Sequence, residues 1–120
     1  MRIAVSSQGA DLDSKVDPRF GRAKYFVVYD TSDESVEVVE NEQNLNAVQG
    51  AGVQSAQNVA KKNVDIVISG NLGPKAFHAL SAAGIKTALW SEGTVAEAIE
   101  LAKNEKLDLC EGANVDQHWV

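Results

Sequence analysis

Two arginines three positions apart, Arg19 and Arg22, flank Phe20 and Gly21 in a stretch with neither helical nor strand period. A guanidinium stays charged at any physiological pH and offers a planar fork of donors, so such a pair suits recognition of an anion. A second group of residues points to the same chemistry. Residues 65–80 read as a β-branched run (Ile66, Val67, Ile68), a turn Gly70-Asn71-Leu72-Gly73-Pro74, and helical spacing at Ala76, Phe77 and Leu80. This pattern describes a buried strand, a tight loop and a helix N-terminus, whose free N–H groups and positive dipole end attract negative charge. Pro74 suits the first helical turn, and Gly70 and Gly73 are expected to take positive φ and bring the backbone close to a ligand. Gly50 and Gly52 mark a second helix start of this kind, and Gly93 with Thr94 a third. Glycine at one strand-to-helix turn often serves geometry alone. Three such turns on one edge with two arginines describe an anion receptor more specifically.

The flanking patterns say how these residues would be placed. Residues 2–6 form an apolar first strand ending in a polar turn that begins with Ser6. Residues 10–22 carry no period, and a long loop of that sort in a small domain is usually functional or disordered. Residues 25–29 read as a second strand, and Val36, Val38 and Val39 as a third, with Glu37 and Glu40 facing outward as an acid-guarded edge. Polar residues 41–49 lead to a first helix through Val53, Ala56, Val59 and Ala60. The second helix ends at Ala82-Ala83-Gly84 with a C′ glycine, residues 85–90 form a fifth strand, and residues 94–103 a third helix. That last helix opens on a Thr94–Glu97 capping box and buries Val95, Ile99 and Ala102.

The order β-β-β-α-β-α-β-α predicts an α/β fold: a mixed five-stranded sheet, spatial order 3-2-1-4-5, with helices on both faces. The first and fourth strands are then neighbours whose connections leave in opposite directions, and a crevice is expected at their C-terminal ends. Ser6, the loop through Arg22, and the turns at Gly50, Gly70 and Gly93 all fall on that edge. Residues 1–107 are expected to form one domain, followed by a tail over residues 108–120.

Composition narrows the classes of function. A chain of 120 residues, 44% hydrophobic, suits one globular domain. Its formal charge of −6 argues against wrapping nucleic acid or lying on an anionic membrane. No apolar run approaches the roughly 20 residues of a membrane span, and the N-terminus runs into a strand instead of a signal-peptide pattern, so a cytoplasmic location is expected. The charge is uneven: four of the eleven basic residues are Lys15, Arg19, Arg22 and Lys24, and residues 33–42 hold five acids. Beyond about 8 Å, salt screens the overall negative charge, and local groups decide what binds. For Lys15 and Lys24 solvation is the simpler role, and for Arg22 pairing with an aspartate. Phe20 is either the apolar wall of a pocket or the anchor of its loop. The single cysteine, Cys110, excludes an internal disulfide, and with His118 it is a weak candidate for a metal ligand.

Five stretches together carry a family resemblance. Met-Arg-Ile-Ala-Val-Ser at the N-terminus, the block Asp17-Pro18-Arg19-Phe20-Gly21-Arg22-Ala23-Lys24-Tyr25-Phe26, Gly50-Ala51-Gly52, residues 65–77, and Gly93-Thr94-Val95 resemble the dinitrogenase iron–molybdenum cofactor biosynthesis family in order and spacing over about residues 1–105. The resemblance implies a ribonuclease-H-like three-layer fold. It also implies a non-enzymatic role in binding, carrying or assembling an anionic metal–sulfur cluster, of the molybdenum–copper sulfide or iron–molybdenum cofactor type and held without covalent bonds. The implied partners are cluster donor or acceptor proteins, and the chain itself is expected to be a monomer or weak homodimer. Many members of the family have histidine directly before the Phe-Gly-Arg, where this chain has Arg19. A guanidinium cannot ligate a metal, so recognition by charge and N–H donors is expected in place of coordination.

Two other classes compete with a cluster carrier. A metal-dependent nuclease on a ribonuclease-H-like sheet needs clustered carboxylates beginning on the first strand, and residues 2–6 contain none. A regulatory or protein-docking module would use an exposed sheet edge and leave the crevice empty.

Overall fold

The computed structural model describes residues 1–43 and 50–110. Its elements follow in the expected order: β1 (Arg2–Ser7), β2 (Tyr25–Asp30), β3 (Val36–Glu40), α1 (Ala51–Ala60), β4 (Ile66–Ser69), α2 (Pro74–Ala82), β5 (Lys86–Leu89) and α3 (Val95–Lys103). They build one five-stranded sheet in the order β3-β2-β1-β4-β5. β1 is antiparallel to β2, with Val5 opposite Val27, and parallel to β4, with Ala4 opposite Val67.

Alternation along β1 divides the core in two. Ile3 and Val5 join Val27, Ile66 and Ile68 beneath Val95, Ala98, Ile99 and Ala102 of α3. Ala4 joins Phe26, Val28 and Val67 beneath Ala56 and Val59 of α1 and Ala76 and Leu80 of α2. The result is three layers, and β4, covered on both faces, is buried at all its residues.

The chain reversal after α2 is a Schellman closure: Gly84 at φ +76 donates to the Ser81 carbonyl at 3.0 Å and Ile85 to that of Leu80 at 2.9 Å. Past α3, Leu109 bridges to Ala88, and the Cys110 N–H donates to the Thr87 carbonyl at 2.7 Å, so the chain lines the outer edge of β5. Among the described residues, no helix is long and apolar enough to cross a membrane.

Glu37 and Glu40 of β3 are both exposed, as expected of an outward acidic edge, but the valines divide between its two faces. Successive residues of a strand point to opposite faces, so Glu37 shares a face with Val39, which packs on the core beneath α1. There Glu37 pairs with Lys62 at 2.7 Å and with Arg2 at 3.5 Å. Val36 and Val38 are left exposed on the opposite face, where no β3 residue joins the core beneath α3.

Candidate functional site

The segment without period in the sequence is pinned at several points. Antiparallel bridges join Ser7 to Val16 and Lys15 to Thr94, and a parallel bridge joins Arg19 to Asn71. Asp17 is 3% exposed; its N–H donates to the Ser6 carbonyl at 2.8 Å and its own carbonyl accepts from the Ser6 hydroxyl at 2.7 Å. The Ser69 hydroxyl lies 2.8 Å from that of Ser6. The expected crevice between the ends of β1 and β4 is therefore filled by the chain itself. Ser6 and Ser69 spend their hydroxyls on that plug, and fully buried Ser6 is not at the surface to meet a ligand.

From the plug, residues 18–22 cross to the starts of α1 and α2. Asn71 Nδ2 donates to the Pro18 carbonyl at 3.1 Å, and the Phe20 N–H to the Asn71 carbonyl at 3.4 Å. Gly70 makes this crossing possible: a Cβ there would sit 2.7 Å from Pro18 Cα. A Cβ on Gly21 would lie 3.0 Å from the Gly52 nitrogen, and one on Gly52 would lie 2.9 Å from the Ala76 Cβ. Close approach, to backbone at Gly70 and Gly21 and to the Ala76 methyl at Gly52, and not positive φ, is thus the role of these glycines. Gly73 has φ −78, and among the described residues Gly84 alone carries the positive-φ glycine conformation. Gly50 has open space where a side chain would project.

A polar knot that sequence reasoning missed fastens the same segment to α1. Gln43 Nε2 donates to the Gly21 carbonyl at 2.6 Å and to the Ser55 hydroxyl at 3.1 Å. Asn41 Nδ2 holds the Ala23 carbonyl at 2.8 Å, and its Oδ1 accepts from Ser55 at 3.0 Å and from Asn58 at 2.9 Å. Ser55 is fully buried. The available signal was Ser55 beside the apolar stripe of α1, where an interior hydroxyl requires a partner.

Electrostatically the three helix starts are not alike. α1 and α2 begin at Gly50 and Gly73 with no side-chain cap and no acid in the first turn. Beside them lie Arg19, its side chain 66% exposed, and exposed Arg22, which makes no ion pair with any described residue. Arg19 instead holds Asp17, Nε to Oδ1 at 3.4 Å. α3 begins with its own anion: Glu97 accepts from the Thr94 N–H at 3.0 Å while Thr94 Oγ1 accepts from the Glu97 N–H at 3.3 Å. A Cβ on Gly93 would meet that carboxylate at 2.6 Å. The expectation that Gly93 and Thr94 join the anion cradle is therefore corrected, because a resident carboxylate takes the donors there.

The Thr94 backbone N–H, then its hydroxyl, holds the Glu97 carboxyl below the ordinary carboxylate range. A lowered folded value means stability that is present above the ordinary range and lost as the pH falls through the folded value. Replacing Thr94 with alanine should cost about 1 kcal/mol at neutral pH. Urea unfolding should also show a shallower loss of stability on acidification than in the parent protein.

The remaining candidates are structural or distant. Phe20 and Leu72 are each 2% exposed, and the Phe20 ring lies 5.3 Å from that of Phe26. Both residues anchor the rim from beneath, so neither ring nor side chain walls a pocket. Lys24 lies over the Tyr25 ring at 5.6 Å. Cys110 lines a cleft of about 290 Å³ with Phe77, Ser81 and Gly84. That cleft runs along α2 to its C-terminal end and the start of β5, where Cys110 is tied to Thr87, so Cys110 is not brought to the rim at the opposite ends of the strands. His118 lies outside the described residues. The residues that do converge are Arg19, Gly21, Arg22, Gly50, Gly52, Gly70, Asn71 and Gly73.

Comparisons with known proteins agree with this fold. The apo form of the orange protein from Desulfovibrio gigas matches with a TM-score of 0.89 at 41% identity, over 95% of this chain and 96% of that one. A candidate NifB protein from Thermotoga matches with a TM-score of 0.76 at 41% identity, over 90% and 91%. An uncharacterized protein of Methanocaldococcus jannaschii is 28% identical over 99 residues, 80% of this chain and 83% of that one. The model of the dinitrogenase iron-molybdenum cofactor family matches residues 1–105, and the chain belongs to that family.

Proposed function

We propose that the rim formed by residues 18–22 and the starts of α1 and α2 holds an anionic metal–sulfur cluster as non-covalent cargo, and that the chain carries or assembles such a cluster without catalysing a reaction. The observation that carries this reading is that the segment bearing two exposed arginines is seated against two helix starts that have no acid of their own, through the Arg19–Asn71 bridge and the close approach of Gly21 to Gly52. Membership of the iron–molybdenum cofactor family and likeness to the orange protein support it. The family resemblance narrows the cargo to a molybdenum–copper sulfide or iron–molybdenum type.

The donor set favours outer recognition of a finished cluster. Guanidinium and amide N–H groups bind sulfide and oxide faces and ligate no metal. Among the described residues no three His, Cys, Asp or Glu side chains gather to hold a metal ion. The same feature weighs against a nuclease, even on the ribonuclease-H-like sheet that we assign to the fold. Transfer to and from donor or acceptor proteins in the cytoplasm would complete the role.

Anaerobic reconstitution with thiomolybdate and copper tests the reading. The expected result is a visible charge-transfer band and both metals retained after desalting. A colourless, metal-free protein would contradict it.

A further inference from the structure

Asp17 sets a nearly buried carboxylate directly beside the arginine pair. Its Oδ1 accepts from the Arg19 backbone N–H at 2.9 Å and from Arg19 Nε at 3.4 Å, while no described residue donates to Oδ2. The turn itself does not require a charge, because an asparagine or serine closes the same local bond. Burying a carboxylate is costly, so a neutral residue would be the cheaper way to build the loop.

The geometry shows what the charge changes. Asp17 grips Arg19 by Nε, and the two terminal nitrogens of Arg19 bond no described residue on a side chain that is 66% exposed. The fork is thereby turned outward and held from behind. The same carboxylate lowers the positive potential that any bound anion feels. Resting on the reading of the rim as an anion site, we propose that Asp17 is an affinity-setting positioning residue. It orients the Arg19 fork and, through its charge, keeps the hold on the anion weak enough for cargo to be handed on.

The two roles separate by substitution. Asp17→Asn keeps an oxygen for Arg19 N and Nε and removes the charge; Asp17→Ala removes both. Sulfate and perchlorate serve as probes because they share a tetrahedral shape and differ in charge. Binding is read on the full chain by NMR titration of the Arg19 amide and Nε–H signals. Asp17→Asn should tighten sulfate about tenfold and perchlorate only about threefold, since the Coulomb energy scales with ligand charge, and should keep the Nε–H signal in place. Asp17→Ala should weaken both anions and shift that signal.

A purely structural Asp17 would weaken binding in both variants. Changes of the same sign in the two variants, equal changes for the two anions, or no sulfate binding to parent or Asp17→Asn protein would each overturn the proposal. Failure of thiomolybdate and copper retention with the sulfate pattern intact would remove only the cargo reading.

Discussion

Truncating Phe20 to alanine is expected to lower the unfolding free energy by about 3–5 kcal/mol, the usual cost of deleting a buried aromatic ring. The ring is 2% exposed, stacks at a tilt on Phe26, and belongs to the core shared with α1 and α2. It is also the bolt that fastens residues 18–22 from beneath. Without it that stretch depends on the long Phe20 N–H bond to Asn71 at 3.4 Å, the Asn71 side chain and the Gln43–Ser55 knot. Urea unfolding should therefore show the loss in stability, and amide exchange at residues 19–22 should quicken by more than the global change explains. A loss below about 1 kcal/mol would mean that the site collapses around the missing ring, and that the rim is held chiefly by its polar ties.

Replacing Arg19 and Arg22 together with alanine is expected to weaken cluster retention by about a hundredfold. Charge-assisted hydrogen bonds contribute about 1.5–3 kcal/mol each, and the lower end applies to side chains as open as these. Two such losses give the stated effect, and each single variant should lose about tenfold. The melting temperature should move little, because both side chains are exposed and lie outside the core. Removing Arg19 does release Asp17 from its partner. A modest rise in stability on adding Asp17→Asn to the double variant would identify that strain, separately from the loss of cargo binding.

Much of this architecture is legible in the residues. The strand order follows from three antiparallel strands in succession and two helical crossovers. The Thr94–Glu97 box and the Gly84 closure are local signals that tertiary packing does not override. The proximity of residues 15–24 to the Asn71 turn follows from both lying at the C-terminal ends of β1 and β4, and the Arg19–Asn71 bridge realises it.

What escapes the sequence is long-range and polar. Glu37 shares the α1 face with Val39 yet stays exposed there, because it pairs with Lys62 and Arg2, 25 and 35 positions away. The Asp17 plug and the Asn41–Gln43–Ser55–Asn58 knot are made of residues whose partners are set by packing and not by period. The capping box is visible in the sequence, and it already implies that the third helix start carries an anion of its own. Glycine is ambiguous in a different way. At Gly70 and Gly21 it marks contact between backbones, a need that leaves the same letter as a positive φ or a ligand.

The most direct measurement is the metal content and absorption spectrum, after anaerobic desalting, of the parent chain and the Arg19→Ala/Arg22→Ala variant reconstituted side by side with thiomolybdate and copper. A coloured parent and a colourless, folded variant are predicted. Equal colour and equal metal in both would show that the two guanidinium groups do not hold the cargo, and would contradict the account at its centre.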